Sequence, residues 1–80
     1  MGITTLLQAW ALANSKRAEA QMWADAMRAN GDEAGAFDRQ RWVDHYIEEA
    51  DKIASFLSSM GITDPARALV ADRGDEQQWL

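Results

Sequence analysis

Apolar residues recur at helical spacing in the middle of the chain and predict a helix over about residues 33–60. Their spacing alternates between three and four residues, the heptad pattern of a helix that packs along its length against a partner. The opposite side of this segment is polar, and the apolar arc covers roughly 140°, as expected for a helix with one buried side. The apolar stripe consists of Val43, Tyr46, Ala50, Ile53, Leu57 and Met60.

A second, alanine-rich helix is predicted over about residues 6–30. Thr5 with Gln8 three positions later has the pattern of a capping box, which places the helix start near Leu6. Apolar residues in this segment lie on several faces, and its charged residues form only a narrow strip. A helix of this kind cannot bury all of its apolar surface against one partner helix, so we expect further packing.

Glycine and aspartate positions predict how the helices connect. Gly31 follows the first helix where a left-handed residue closes a helix, and Asp32 can cap the next one. Gly61 ends the second helix, and Ile62 can fold back onto Leu57. Asp64 before Pro65 is typical of a new helix start, and we expect a short helix over about residues 65–73 that stops at Gly74.

The predicted fold is therefore all-α. An antiparallel helical hairpin (about 6–30 and 33–60) is followed by a short C-terminal helix (about 65–73), which folds back over the open end of the hairpin. We expect one domain over residues 1–80, with 75–80 as a flexible tail. We also expect the hairpin to dimerise into a four-helix arrangement, because a second copy would cover its surplus apolar surface.

The composition agrees with this need for further packing. The chain has 80 residues and is 48% hydrophobic, but fifteen of its residues are alanine, so few large side chains are available for a core. A domain this small buries only about 60% of its unfolded surface and is marginally stable alone. Cysteine is absent, which excludes disulfides and thiolate chemistry.

Charge and hydropathy narrow the set of partners. The net charge is −5, so we expect phosphate backbones to repel the chain and predict no nucleic-acid partner. A helix-turn-helix pattern around Gly61 fails because Arg67 occupies a position that needs an apolar residue. No apolar run approaches the length of a membrane span or has the flanks of a signal peptide, so we predict a cytoplasmic protein without a membrane partner.

Residues for catalysis or metal binding are poorly placed. His45 precedes Glu48 and Glu49 by three and four positions, but this order reverses the Glu-x-x-His motif of carboxylate-bridged metal sites and lies away from the apolar stripe. The serines, Ser15 among them, lie within predicted helices without a second histidine to activate them. We therefore predict a protein that is not an enzyme and that needs no cofactor or metal.

Aromatic residues are more informative than charged ones. Four tryptophans in 80 residues is a high density, and tryptophan is enriched at interface hot spots. Trp42 borders the stripe of the second helix and is predicted to be in the core. Other large side chains lie off the main apolar lines, where they either fill a dimer seam or anchor a separate target protein. The candidate interface residues are Leu6, Trp10, Leu12, Trp23 and Phe56.

The acidic, cysteine-free, alanine-rich hairpin with its Asn30-Gly31-Asp32 turn resembles small phage-encoded helical proteins that inhibit host bacterial proteins, including CRISPR complexes, quorum-sensing regulators and pilus motors. The resemblance concerns the layout of about residues 5–60. It implies a bacterial protein partner and no cofactor. The first functional hypothesis is a non-catalytic interaction module that binds a cellular protein through an exposed helical face and changes its activity by occlusion. The alternatives are a structural or assembly subunit that acts by self-association and, third, a DNA-binding accessory protein, which the charge disfavours.

Overall fold

A computed structural model describes the backbone of residues 2–78 and the side chains of residues 2–71. This part of the chain forms three α-helices, α1 (Ile3–Ala29), α2 (Glu33–Ser59) and α3 (Pro65–Gln78). The two long helices pack against each other as an antiparallel hairpin, and α3 packs on α1. The predicted all-α hairpin with a third helix is confirmed.

The start of α1 differs from the prediction. The helix begins at Ile3 rather than near Leu6, and the extended residue Gly2 precedes it without a side-chain cap. Thr5 thus lies inside the helix, and the proposed capping box with Gln8 is wrong. A capping box is worth only about 1 kcal/mol, which an added turn of backbone hydrogen bonds offsets; the first of these runs from the Leu6 N–H to the Gly2 carbonyl at 3.2 Å.

The connection between α1 and α2 follows the prediction. Gly31 has a φ of 81°, the left-handed conformation that closes a helix. The N–H of Asp32 donates to the carbonyl of Met27 at 2.8 Å, and that of Gly31 to the carbonyl of Arg28 at 3.1 Å, which together form a Schellman motif. The Asp32 carboxylate then accepts from the Gly35 N–H at 2.9 Å and caps α2.

A second Schellman motif ends α2 and seals the open end of the hairpin. Gly61 has a φ of 92°, and the Ile62 N–H donates to the Leu57 carbonyl at 2.9 Å. As predicted, the Ile62 side chain returns to the cluster to which Leu57 belongs. That cluster contains Leu6, Leu7 and Leu57, with Ala68 and Leu69 of α3 packed against it.

The third helix begins as predicted and ends later. The Arg67 N–H donates to the Asp64 carboxylate at 3.2 Å, so Asp64 caps α3 ahead of Pro65. Gly74 does not stop the helix, which continues to Gln78. A glycine in a helix costs about 1 kcal/mol, and the Glu and Gln residues that follow it are good helix formers. Trp79 and Leu80, the end of the predicted tail, lie outside the described residues.

Small side chains form the seam between the two long helices. The buried residues of α1 and α2 recur at intervals of seven along much of each helix, and alanine is the commonest among them. The predicted stripe on α2 is only partly buried: Tyr46 and Ile53 are half-buried, and Met60 is exposed as the helix cap. The buried residues among those described are Leu6, Leu7, Ala13, Ala20, Ala24, Ala36, Val43, Ala50 and Leu57.

The helical hairpin is a single layer, and α3 covers only one side of it. Leu7 is buried although it lies about 100° around α1 from Leu6, because it belongs to the cluster against which α3 packs. Leu12 lies about 140° further around α1 from Leu7, on the side away from α3. Within residues 2–78, none of the helices has the length and hydropathy needed to span a bilayer.

Candidate interaction surface

Two shallow clefts adjoin on the side of the hairpin opposite α3. One has a volume of about 320 Å³ and lies nearer the turn, and the other, of about 360 Å³, lies nearer the open end. They share Lys16 and Tyr46, so they form one continuous surface, which we call the open face. Its residues are Ala9, Leu12, Ala13, Lys16, Glu19, Ala20 and Trp23 of α1 with Arg39, Trp42, His45, Tyr46, Glu49 and Ile53 of α2.

Aromatic rings dominate the half of the open face near the turn. Trp23 of α1 and Trp42 of α2 line the same cleft. The guanidinium carbon of Arg39 lies 5.8 Å from the centroid of the Trp23 ring, a cation–π distance. Trp42 stacks on Tyr46, with centroids 6.0 Å apart and planes at 29°. The cleft therefore offers flat apolar surface beside a positive charge.

The other half of the open face combines aliphatic and charged groups. Leu12 and Ile53 supply its apolar part. His45 contacts Tyr46 edge-on, with centroids 5.3 Å apart, and its Nε2 lies 4.0 Å from Oε1 of Glu49. Lys16 lies between the two halves and has no ion-pair partner among the described side chains. This half can therefore contact both apolar and charged groups.

The five candidate interface residues differ in how far the structure exposes them. Leu12, Trp23 and Phe56 are 60%, 52% and 63% exposed, as a binding surface requires. Leu6 is a correction: it is only 8% exposed, because it packs in the cluster at the open end of the hairpin and cannot meet a partner. Trp10 is half-buried and packs against the same cluster, on the side of α1 away from the open face.

Phe56 continues the open face toward the end of α2. It lies three positions after Ile53 and seven after Glu49, which places the three residues on one side of the helix. Phe37, by contrast, is exposed but lies about 140° around α2 from Trp42. The exposed aromatic residues are thus concentrated on one face without being confined to it.

Trp42 is a second correction. Predicted as a core residue, it is 48% exposed and forms part of the open face. The seam is filled by Ala36, Val43 and Ala50, whose small side chains leave no room for an indole between the helices. The contributions of Arg39 and Lys16 were not predicted either. The signal for Arg39 was the alternating spacing of three and four residues through Arg39, Trp42, Tyr46, Glu49, Ile53 and Phe56, a second stripe beside the buried one.

The open face has the chemistry of a contact surface. Among the described residues, no group of three or more His, Asp or Glu side chains is placed to hold a metal ion. The Ser59 hydroxyl donates to the Phe56 carbonyl at 2.6 Å, an ordinary bond within a helix. Both clefts are open to solvent, and their indole, guanidinium and carboxylate groups are suited to contacts with a polypeptide.

Comparison with protein-family models, curated proteins and solved structures finds no match for this chain.

Proposed function

We propose that the protein is a non-catalytic interaction module that binds another polypeptide chain through its open face. The observation that supports this most directly is the uneven placement of large apolar side chains. The seam of the hairpin is filled mainly by alanine, whereas Leu12, Trp23, Trp42 and Phe56 are about half or more exposed. Because these large side chains are exposed while most buried ones are small, the chain gains free energy chiefly when a partner covers the exposed ones.

The dimensions of the open face favour a helical partner. On α1 it extends from Ala9 to Trp23, about 21 Å at the helical rise of 1.5 Å per residue. This length matches about four turns of a partner helix lying against the hairpin. Domains normally consist of two packed layers, and a helix on this side would add the second one.

The partner we propose is a bacterial protein in the host cytoplasm whose activity changes when the open face covers part of its surface. This choice rests on the resemblance to phage-encoded inhibitors. The net charge of −5 supports a protein partner over nucleic acid, because phosphates would be repelled. Trp23 and Trp42 would be the anchors, since interface hot spots are enriched in tryptophan.

Self-association as an assembly subunit is a second candidate function. The observation that favours it is the charge balance of the open face, where Lys16 and Arg39 are matched by Glu19 and Glu49. The chain as a whole is strongly acidic, so this local neutrality permits contact between two copies.

In-cell photo-crosslinking tests the proposed function. A photoreactive phenylalanine analogue replaces Leu12 on the open face or, as the control, Phe37 on the other side. We expect position 12 to give a discrete adduct, either with one foreign protein or with the chain itself, and Trp23→Ala to weaken that adduct more than it lowers the melting temperature. Equal adducts from both positions, or none from position 12, would show that the open face is not the binding surface.

A further inference from the structure

We propose that the open face binds a second copy of this chain about a twofold axis that lies in the plane of the interface, perpendicular to the helices. In this dimer α1 of one copy packs on α1 of the other and α2 packs on α2, and each of these pairs runs antiparallel. The inference rests on the proposed function, because it names the partner of the same surface. The two α3 helices lie on the outer sides of the four-helix arrangement and do not obstruct the contact.

The exposed open-face residues of α1 complement one another in the antiparallel direction. They are Leu12, Lys16, Glu19 and Trp23, whose spacing places them on one side of the helix. In antiparallel helices, residues at one level have numbers with a constant sum, because one numbering rises as the other falls. A sum of 35 pairs Leu12 with Trp23 and Lys16 with Glu19. Apolar side chains then meet each other, opposite charges meet, and the axis forms each pair twice.

The open-face residues of α2 have the same property. A sum of 88 pairs Arg39 with Glu49, and Trp42 with Tyr46 of the other copy. The charged pair again joins opposite signs. The aromatic pairs gather four rings around the axis, since Trp42 and Tyr46 already stack within each chain with centroids 6.0 Å apart. His45 lies at the outer edge of the face, about 160° around α2 from the seam, and does not enter the pairing.

Both sets of pairs require the same axis position. The pairs on α1 place the axis midway between positions 17 and 18, and those on α2 place it at position 44. The register of the hairpin is given by Gln21 Nε2, which lies 3.4 Å from Gln40 Oε1, and by Arg39, which lies over Trp23. Residue numbers in these two contacts add to 61 and 62, so position 44 is level with positions 17 and 18. The axis position found from α1 therefore coincides with that found from α2.

The other twofold axis that brings the open faces together runs parallel to the helices. It packs α1 of each copy on α2 of the other, so residues that are level within the hairpin face each other between copies. Leu12 then meets Glu49, and Glu19 meets Trp42, which covers both carboxylates with apolar side chains. The perpendicular axis gives every charged pair opposite signs instead, so the charge pattern favours it.

Self-complementarity also favours a second copy over a foreign chain. A foreign partner can present any pattern of side chains to the open face, whereas a second copy presents only its own. Lys16 and Glu19 are exposed, and neither belongs to an ion pair among the described side chains, so both are available to a partner. Matching of both helices about one axis is a requirement that only a dimer imposes.

Charge reversal at one pair tests the dimer. Lys16→Glu gives a chain with acidic residues at both 16 and 19, and Glu19→Lys gives a chain with basic residues at both. We expect each variant alone to dimerise at least about tenfold more weakly than the parent chain, because like charges then face each other twice. In an equimolar mixture both pairs join opposite charges, so a heterodimer of parent affinity should form. Native mass spectrometry with one chain isotopically labelled measures it.

Reversals elsewhere on the surface provide the matched control. Lys52→Glu and Glu48→Lys change the net charge by the same amounts, and both residues are exposed on α2 outside the open face. Each of these variants should dimerise within about twofold of the parent chain. An equal loss in them would reduce the effect to net charge and overturn the pairing. An effect within one chain would not recover in the mixture, because mixing leaves each chain's own charges unchanged.

Disulfide crosslinking tests the direction of the axis. The chain lacks cysteine, so introduced thiols are the only ones. A Leu12→Cys chain mixed with a Trp23→Cys chain should give a mixed disulfide, because the perpendicular axis places these positions opposite each other. Leu12→Cys mixed with Glu49→Cys is the matched pair for the parallel axis and should give little. As much adduct from this second mixture as from the first, or more, would overturn the perpendicular axis.

Two further results would overturn the inference: a parent chain that stays monomeric at millimolar concentration, and charge-reversed chains that keep their helical circular dichroism but do not recover on mixing. If either reversed chain unfolds, the disulfide experiment decides, because it leaves Lys16 and Glu19 in place. An adduct with a foreign protein from position 12 would still support the proposed function if the dimer failed these tests.

Discussion

Arg39 of α2 lies over the indole of Trp23 of α1, with its guanidinium carbon 5.8 Å from the ring centroid. The contact joins the two helices at the half of the open face nearest the turn. Both side chains are exposed, so the interaction should be modest, about 0.5–1 kcal/mol for an exposed cation–π pair. It holds the Trp23 ring in place beside the cleft that it shares with Trp42.

A double-mutant cycle measures this contact. Trp23→Leu and Arg39→Gln, separately and together, should show a coupling of about 0.5–1 kcal/mol in the free energy of unfolding from denaturant titration. Arg41→Gln is the control, since Arg41 lies two positions away and does not contact the Trp23 ring; its coupling to Trp23→Leu should be close to zero. Equal coupling for the two arginines would show that the effect is general charge rather than the contact.

Truncation of two adjacent residues on α2 should lower the free energy of unfolding by very different amounts. Leu57 is fully buried in the cluster at the open end, so Leu57→Ala should cost about 2–5 kcal/mol and leave little folded protein at ambient temperature. Phe56 points outward, and in dilute solution Phe56→Ala should cost less than about 1 kcal/mol. Circular dichroism during thermal unfolding measures both changes. A larger loss from Phe56→Ala than from Leu57→Ala would contradict the orientation of α2.

The alanine seam should resist larger side chains. Ala24 is fully buried between the helices, so Ala24→Leu should force them apart and cost about 1–3 kcal/mol. Ala26→Leu places the same side chain two positions later on an exposed part of α1 and should stay within about 0.5 kcal/mol of the parent chain. Comparing the denaturant midpoints of the two variants checks this; a tolerated Ala24→Leu would mean that the helices are not closely packed there.

The start of α2 depends on the Asp32 cap. Asp32→Ala removes the acceptor for the Gly35 N–H and should lower the free energy of unfolding by about 1 kcal/mol. Asp44→Ala, an exposed mid-helix control, should be neutral or slightly stabilising because alanine has the higher helix propensity. Urea titrations of both variants give the comparison, and equal losses would show that the carboxylate's effect is not capping.

Local chemistry made the turns predictable from the sequence. Gly31 and Gly61 both adopt the left-handed conformation that only glycine adopts without strain, and Asp32 and Asp64 both cap the helix that follows. Each of these features depends on a few neighbouring residues. The predicted start of α1 near Leu6 was wrong because the capping energy of Thr5 is small compared with the free energy gained from an additional helical turn.

The rotation of each helix about its axis could not be predicted. Two heptad stripes lie side by side on α2, one through Val43 and Leu57 and one through Trp42 and Ile53, and the spacing alone fits either as the seam. The stripe that packs in the seam depends on the α1 side chains that face it. Ala13 and Ala20 of α1 are small and buried, so the helices lie close together and only the stripe through Val43 and Leu57 fits between them. Trp42 was predicted to be in the core because it borders the apolar stripe, and the close approach of α1 to α2 leaves it on the open face instead.

The alanine seam also determines which positions can vary. An alanine side chain loses no rotamer freedom when it is buried, so the hairpin closes at little entropic cost although it buries little apolar surface. Because these buried side chains are already single methyl groups, they cannot be shortened without leaving a glycine, and the close packing leaves no space for a larger side chain. In a saturation library, Ala20, Ala24 and Ala36 should tolerate few larger side chains, while the exposed aromatic rings can be exchanged freely until a binding partner is supplied.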